Sequence, residues 1–392
     1  MKRLFLILFY AVIISSCSNL SEDANYDESL NNGELIIYDS IDLPESKFSH
    51  ITDYNPDVNT FIGVFDHKII GFKSAEITYQ FDRYGEGPEE YQYQLPIFVD
   101  TKFVTDTSLM INSFNDLKFY SLKGDFLKQA RIDENLYYLD RFPQACINDS
   151  LVIFVGGNNY PEDPKTPLES LSCSKFFTLN LNSGEYIRYG SLEKENYMLI
   201  ANKFLLSHDM VSIFNKRKNQ MELIFSAKPQ LFRYQISDPA KYEYIELTPE
   251  FQEEPYLVEN SFEVTINNPS FFKIKLRNNS YKEAYSSGDT LITAYQPGIN
   301  QSLINKELGE GPDATIKPGG YFKFINKFCE NYIEYYINGE KQIHDLKVPN
   351  HCKVEYIGDS KHILISDPNQ ELTINNKPLK RYYLCKINKN QL

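Results

Sequence analysis

The histidines are the first place to look for metal or proton chemistry: His50, His67, His208, His344, His351 and His362. None sits in a motif. The chain has no His-Glu-x-x-His zinc pattern, no Gly-x-Ser-x-Gly nucleophile elbow and no EF-hand loop. His344 and His351 are seven apart, a spacing without metal logic on strands. Each histidine is read as an ordinary surface or core residue. Paired carboxylates can hydrolyse a glycosidic bond. Glu89-Glu90 and Glu253-Glu254 are adjacent, so on a strand they would face opposite sides. Cys146, Cys173, Cys329, Cys352 and Cys385 are separated by 27, 156, 23 and 33 residues, with no Cys-x-x-Cys signature. No catalytic residue, cofactor or metal is assigned.

Cys17 is the exception. Lys2 and Arg3 precede eleven apolar residues, Leu4 to Ile14, which lead into Ser15-Ser16-Cys17. A basic start, a short apolar core and small residues before a cut are the parts of a secretory signal. As a helix the apolar stretch spans about 16 Å, roughly half of a ~30 Å hydrocarbon core, too short for a permanent anchor. The segment ending at Cys17 resembles the bacterial lipobox. That resemblance implies cleavage after residue 16, acylation of Cys17 and a stable membrane tether, because several chains anchor where one does not.

Residues 18–32 are polar and acidic and read as a flexible tether. Ser21-Glu22-Asp23 resembles the acidic cluster that directs Bacteroidetes lipoproteins to the outer surface; a plain solvated linker reads the same. The expected localisation is the outer membrane, facing the periplasm or the cell surface. Past the leader the chain carries 38 Lys+Arg against 53 Asp+Glu, a net of −15. A body so acidic is repelled by nucleic acid. Lys216-Arg217-Lys218 is the longest basic run and reads as a solvated turn.

Stepping along 33–392, short strands alternate with turns. Aromatic residues make up 14%, with 29 Tyr and 27 Phe, types that suit half-buried pleated surfaces. Three hairpins stand out. Leu117–Leu122 turns at Lys123-Gly124-Asp125 into Phe126–Ile132. Phe176–Leu181 turns at Asn182-Ser183-Gly184 into Glu185–Tyr189. Tyr335–Ile337 turns at Asn338-Gly339, the two-residue type I′ signature, into Glu340–Leu346.

A polar turn entering an apolar strand recurs at Asp106-Thr107-Ser108-Leu109, Asp149-Ser150-Leu151 and Asp289-Thr290-Leu291. Gly358-Asp359-Ser360 and Ser207-His208-Asp209 are looser copies. Each apolar run predicts a strand buried on both sides. No helical periodicity persists beyond two or three turns. Many strands with weak, irregular internal repetition predict an all-β chain folded as a β-propeller with insertions. Six blades fit best, with seven or eight left open. Residues 158–167 and 237–260 are the expected irregular regions.

One motif occurs twice. Gly85-Glu86-Gly87-Pro88-Glu89-Glu90 follows Phe81–Tyr84, and Gly309-Glu310-Gly311-Pro312-Asp313 follows Lys306–Leu308. It resembles the Gly-x-Gly-Pro-Gly-Glu element of Bacteroidetes lipoproteins with a six-bladed TolB-like or NHL-like propeller, except that Glu89 replaces a glycine. The resemblance implies a turn from an outer strand into the next blade, and no reaction. A phosphate loop is not expected: Pro88 removes a donor, Glu86 repels phosphate and no helix pattern follows. The glycines are expected to supply unusual φ at a tight turn. Asp39-Ser40, Asp149-Ser150 and Asp289-Thr290 also resemble the Bacteroidetes O-glycosylation acceptor, which makes Ser40, Ser150 and Thr290 candidate sites.

These features favour a non-enzymatic envelope propeller that binds a peptide, glycan or partner protein. The alternative is a glycan hydrolase or lyase with its site in the central channel. Polar residues converging there from different blades, with perturbed carboxylates, would favour the enzyme.

Overall fold

A computed structural model describes residues 34–46, 49–92, 100–113, 116–132, 142–148, 150–155, 176–189, 204–205, 210–225, 229–238, 241–251, 257–258, 276–309, 324–328, 330–349, 352–370, 372–374 and 377–388. Cys17, the leader and the tether lie outside them, as do Gly311, Pro312 and 158–167.

After β1 (Leu35–Pro44), four-stranded antiparallel sheets follow in succession. Blade 1 is β2 (His50–Asn55), β3 (Thr60–Phe65), β4 (Lys68–Lys73) and β5 (Glu76–Phe81). Blade 2 is β6 (Asp100–Thr105), β7 (Ser108–Ser113), β8 (Asp116–Ser121) and β9 (Phe126–Arg131). Blade 3 is β10 (Phe142–Asn148), β11 (Leu151–Val155), β12 (Phe176–Asn180) and β13 (Tyr186–Tyr189). A short β14 (Phe204–Leu205) pairs with β19 (Leu257–Val258) around blade 4, which is β15 (Met210–Asn215), β16 (Gln220–Phe225), β17 (Gln230–Gln235) and β18 (Tyr242–Glu246).

Blade 5 is β20 (Ser280–Ser287), β21 (Thr290–Gln296) and β22 (Tyr332–Ile337), with β23 (Glu340–Lys341) and β24 (Leu346–Lys347) both paired to β22. The expected strand Glu340–Leu346 is thus broken, and Asp345 in the break turns inward. Blade 6 is β25 (Lys353–Asp359), β26 (His362–Ser366) and β28 (Lys377–Ile387), with β27 (Leu372–Ile374) also on β28. β1 is its fourth strand.

Six interblade cores close the ring. Neighbouring side chains on a strand face opposite ways. On β3, Ile62 and Val64 pack toward blade 2, with Leu109 and Ile111. Phe61 and Phe65 pack toward blade 6, with Leu364 and Tyr382. The same division places Met110 and Phe154 between blades 2 and 3, Phe176 and Leu223 between 3 and 4, Leu231 and Tyr295 between 4 and 5, and Ile292 and Ile363 between 5 and 6. Second strands are therefore apolar on both faces, while fourth strands such as β5, β9 and β18 are largely exposed. The first strands touch in the circular order β2, β6, β10, β15, β20, β25 and back to β2. This is a six-bladed β-propeller.

The ring is latched where the N-terminal strand meets the C-terminal one. β1 pairs with β28 from Leu35 opposite Ile387 to Pro44 opposite Leu379. Arg381 clamps Asp42 with two bonds, 2.7 and 2.8 Å. The recurring Asp–Ser/Thr turns at 106–108, 289–290 and 359–360 are the hairpins from first to second strand in blades 2, 5 and 6. The copy ending in Ser150 enters β11 likewise, with Asp149 outside the described residues. Met210 instead opens a first strand. Asn338 and Gly339 both have positive φ, 54° and 80°, as a type I′ turn requires.

The helix α1 (Gln301–Leu308) interrupts blade 5 between β21 and β22. Asn300 caps its start and Gly309, at φ 83°, its end. The second copy of the Gly-Glu-Gly-Pro motif therefore begins inside a blade, not between two.

Candidate functional site

Five of the six first strands carry a bulge against their second strand. The extra residues are Thr52, Val104, Gln144, Lys282 and Glu355, with a second shift at Ile147 on β10 and at Gly358 on β25. A bulge re-aims the following side chains. Here Asp53, Glu283 and Tyr356 are those residues, and they meet with Lys102 along the channel.

Asp53 joins three blades. Its Oδ1 accepts the backbone N–H of Tyr54 at 2.9 Å and the Tyr356 hydroxyl at 3.3 Å. Its Oδ2 accepts the backbone N–H of Phe103 at 2.8 Å. Burial pushes its pKa up, opposed by Lys102 and by the two backbone donors. Asp100 is raised by burial too, again against Lys102. Lys102 Nζ donates to the carbonyl of Thr52 and lies 3.9 Å from Asp100. Glu283 reaches the same region from blade 5. Burial raises it to about 8, with Lys102 opposing and Glu355 adding to the rise.

Above this belt the channel opens into a cavity of about 640 Å³, lined by the first strands and turns of all six blades. That volume falls within the ~300–1,000 Å³ typical of small-molecule sites. Ala145, Ile213 and Phe214 form an apolar wall on blades 3 and 4; Tyr285, Tyr356 and Asp53 lie on blades 5, 6 and 1.

The rim is stapled between blades. Asn55 Nδ2 donates to Asp106 Oδ1 at 3.0 Å. Asn215, buried, donates to Ser286 Oγ and to the Gly288 carbonyl, both at 2.9 Å, and its Oδ1 accepts the Gly288 N–H at 3.0 Å. Tyr54 meets His362 Nδ1 at 2.9 Å, joining blades 1 and 6. Asn55 and Asn215 each end a first strand, and each is followed four residues later by an asparagine with φ 52°. That paired Asn spacing, Asn55/Asn59 and Asn215/Asn219, is the signal in the sequence that marks these two rim turns.

Of the turn-motif and glycosylation candidates singled out in the sequence, the described ones are not among the residues lining the cavity. Gly85, Gly87 and Pro88 sit between β5 and β6. Tyr120 donates to the Glu89 carbonyl at 2.8 Å, and Lys118 donates to the Pro88 carbonyl at 3.0 Å and to the Glu90 carbonyl. Contrary to expectation, Gly85 and Gly87 are absent from the residues with positive φ. They provide room: a Cβ on Gly85 would lie 2.0 Å from Glu90 Oε2, which accepts the Gly87 N–H at 2.8 Å. Ser40 lies on β1, Ser150 and Thr290 lie at first-to-second hairpins, and all three are partly exposed. Among the described residues no group of three His, Cys, Asp or Glu is placed to hold a metal.

No protein-family model matches the chain, and no curated protein matches it. Among solved structures it is similar to a member of the DUF4221 family from Bacteroides vulgatus. The identity is 14%, the TM-score 0.60, and the match covers 91% of this chain and 98% of that one. A Bacteroides fragilis protein described as exported gives a TM-score of 0.48 at 12% identity, covering 91% of this chain and 96% of the other. At such identities the first likeness concerns the fold.

Proposed function

We propose that this chain is a lipid-anchored binding module of the cell envelope, held at the outer membrane through Cys17. Its ligand sits in the cavity at the channel mouth, the region where the fold converges six separate turns. The leader ending at Cys17 and the acidic tether support the address. Peptides and glycans are the ligand classes that such a compartment and cavity would serve.

Carboxylates with pKa values raised by burial do converge on the channel from blades 1, 2 and 5, as the enzyme reading requires. The observation that favours binding over catalysis is therefore the state of Asp53. Among the described carboxylates with a raised pKa, it alone lines the cavity. Both its oxygens are occupied by donors from three blades. A general acid or base must reach the substrate's proton, and a carboxylate committed to its own scaffold is poorly placed to do so.

The test is native mass spectrometry of the full chain, in detergent, against mixtures of short peptides and soluble oligosaccharides. A Ser287→Trp variant fills the mouth and is checked for folding by thermal melting. The proposal expects a component retained intact by the wild type and lost in the variant. Equal retention by both would move the site away from the cavity. Release of cleaved product would favour the hydrolase or lyase.

A further inference from the structure

The cavity rim is charged at opposite ends. Blade 4 lies across the ring from blade 1. Its turn brings Lys216 and Arg217 to the cavity, both exposed, and among the described residues neither forms a hydrogen bond or ion pair. Their neighbour Lys218 is committed to Asp289. Facing them from blade 1 is Asp57. Its backbone N–H is bonded to Asn55 Oδ1 at 2.9 Å, but its exposed carboxylate has no hydrogen bond or ion pair among the described residues. Asp106 stands beside it on blade 2.

Two cations with no hydrogen bond or ion pair among the described residues are notable in a chain of net charge −13. The carboxylates that line the cavity are Asp53, committed to its own donors, and Asp57 and Asp106 on blades 1 and 2. Tyr285 sits between the ends, close enough for Arg217, Asp57 and Asp359 all to bear on its hydroxyl. The apolar wall of Ile213 and Phe214 runs directly into the basic turn.

Ligand charge follows from this layout. An anionic glycan or a phosphate would satisfy the basic end and be repelled by Asp57 and Asp106. A simple cation meets the reverse problem. A neutral sugar would desolvate both ends and pair neither. A zwitterion with an apolar body neutralises both, and arginine recognises a carboxylate with two parallel donors.

We infer that the cavity takes a short peptide with both termini free, its carboxylate on Lys216 and Arg217, its ammonium on Asp57 and an apolar side chain against Phe214. This rests on the cavity being the binding site, as proposed above.

The test is calorimetric titration of the full chain in detergent with the tripeptide Ala-Phe-Ala. Four forms are used: free, N-acetylated, C-amidated and doubly capped. Each cap removes one charged contact and is expected to weaken binding about tenfold. Lys216→Ala with Arg217→Ala should make the free and C-amidated forms bind alike, while acetylation still weakens binding. Asp57→Asn should do the converse. All three side chains are exposed, so folding is not at stake.

The inference is overturned if the doubly capped peptide binds as tightly as the free one, or if no form binds at millimolar concentration. The two readings fail separately. If the capped form binds and Ser287→Trp removes that binding, or if only oligosaccharides bind, the cavity stands and the peptide assignment falls. If neither peptide nor oligosaccharide binds, both fall.

Discussion

Asp53 Oδ2 accepts the backbone N–H of Phe103 at 2.8 Å, so a carboxylate on the first strand of blade 1 fixes the first strand of blade 2. Phe103 is where β6 begins its own bulge, and the N–H it offers points across the channel wall instead of into its sheet. Removing the carboxylate orphans that N–H, the Tyr54 N–H and the Tyr356 hydroxyl. Asp53→Ala is expected to lower stability by about 2–4 kcal/mol. Asp53→Asn keeps one acceptor and should lose less. The midpoints of urea unfolding give the order; a wild-type midpoint for Asp53→Ala would remove the carboxylate from the account of the fold.

Asn215 performs the matching task between blades 4 and 5. Its amide satisfies both the N–H and the C=O of Gly288, a glycine at φ 60°. Asn215→Ala should cost about 1–3 kcal/mol, since two partly buried backbone groups lose their partner. The substitution should also increase amide hydrogen exchange at 286–289 ahead of the other rims. Exchange raised evenly around the ring would argue against a local staple.

Glu283 gives the fold a pH dependence whose sign is fixed. Its pKa in the folded chain, about 8, lies above the ordinary 4.5, because burial disfavours the ionised form. The folded state therefore holds this proton more tightly than the unfolded chain does. The group's contribution is complete below about pH 4.5 and is lost as pH rises through 8. Glu283→Gln mimics the protonated side chain. It should match the wild type near pH 5 and exceed its stability at pH 8.5, by about 1–3 kcal/mol after allowing for partial exposure. Paired denaturation curves at the two pH values decide it; a variant weaker at pH 8.5 would show that the ionised group is favoured by its surroundings.

The anchor is tested apart from the propeller. Cys17→Ser should leave the thermal melt of the folded body unchanged and move the protein from the membrane fraction to the soluble one. A variant that still sediments with membranes would contradict acylation at Cys17. Mass spectrometry of peptides containing Ser40, Ser150 and Thr290 reads the candidate glycans in the same preparation.

Much of the architecture was legible in the chain. Runs such as Thr60–Phe65 and Leu109–Ile111 are apolar at consecutive positions because both faces of a second strand are buried between blades. Asn338-Gly339 announced its hairpin, and the Asp–Ser/Thr turns marked the hairpins of one channel mouth. The cavity was not legible. Tyr54 and His362 touch across 308 residues of sequence, and the bulges at Thr52, Val104, Lys282 and Glu355 share no residue type. α1 also stretched blade 5 and spoiled the repeat spacing. Lys216 and Arg217 read as a solvated turn because only the ring shows what they face.

The central claim, that the channel mouth is the binding site, is tested most directly by the affinity of Ala-Phe-Ala for the wild type and for Ser287→Trp at matched folding. The account predicts binding to the wild type that is weakened at least tenfold when the mouth is filled. Equal affinity in the two proteins would contradict it.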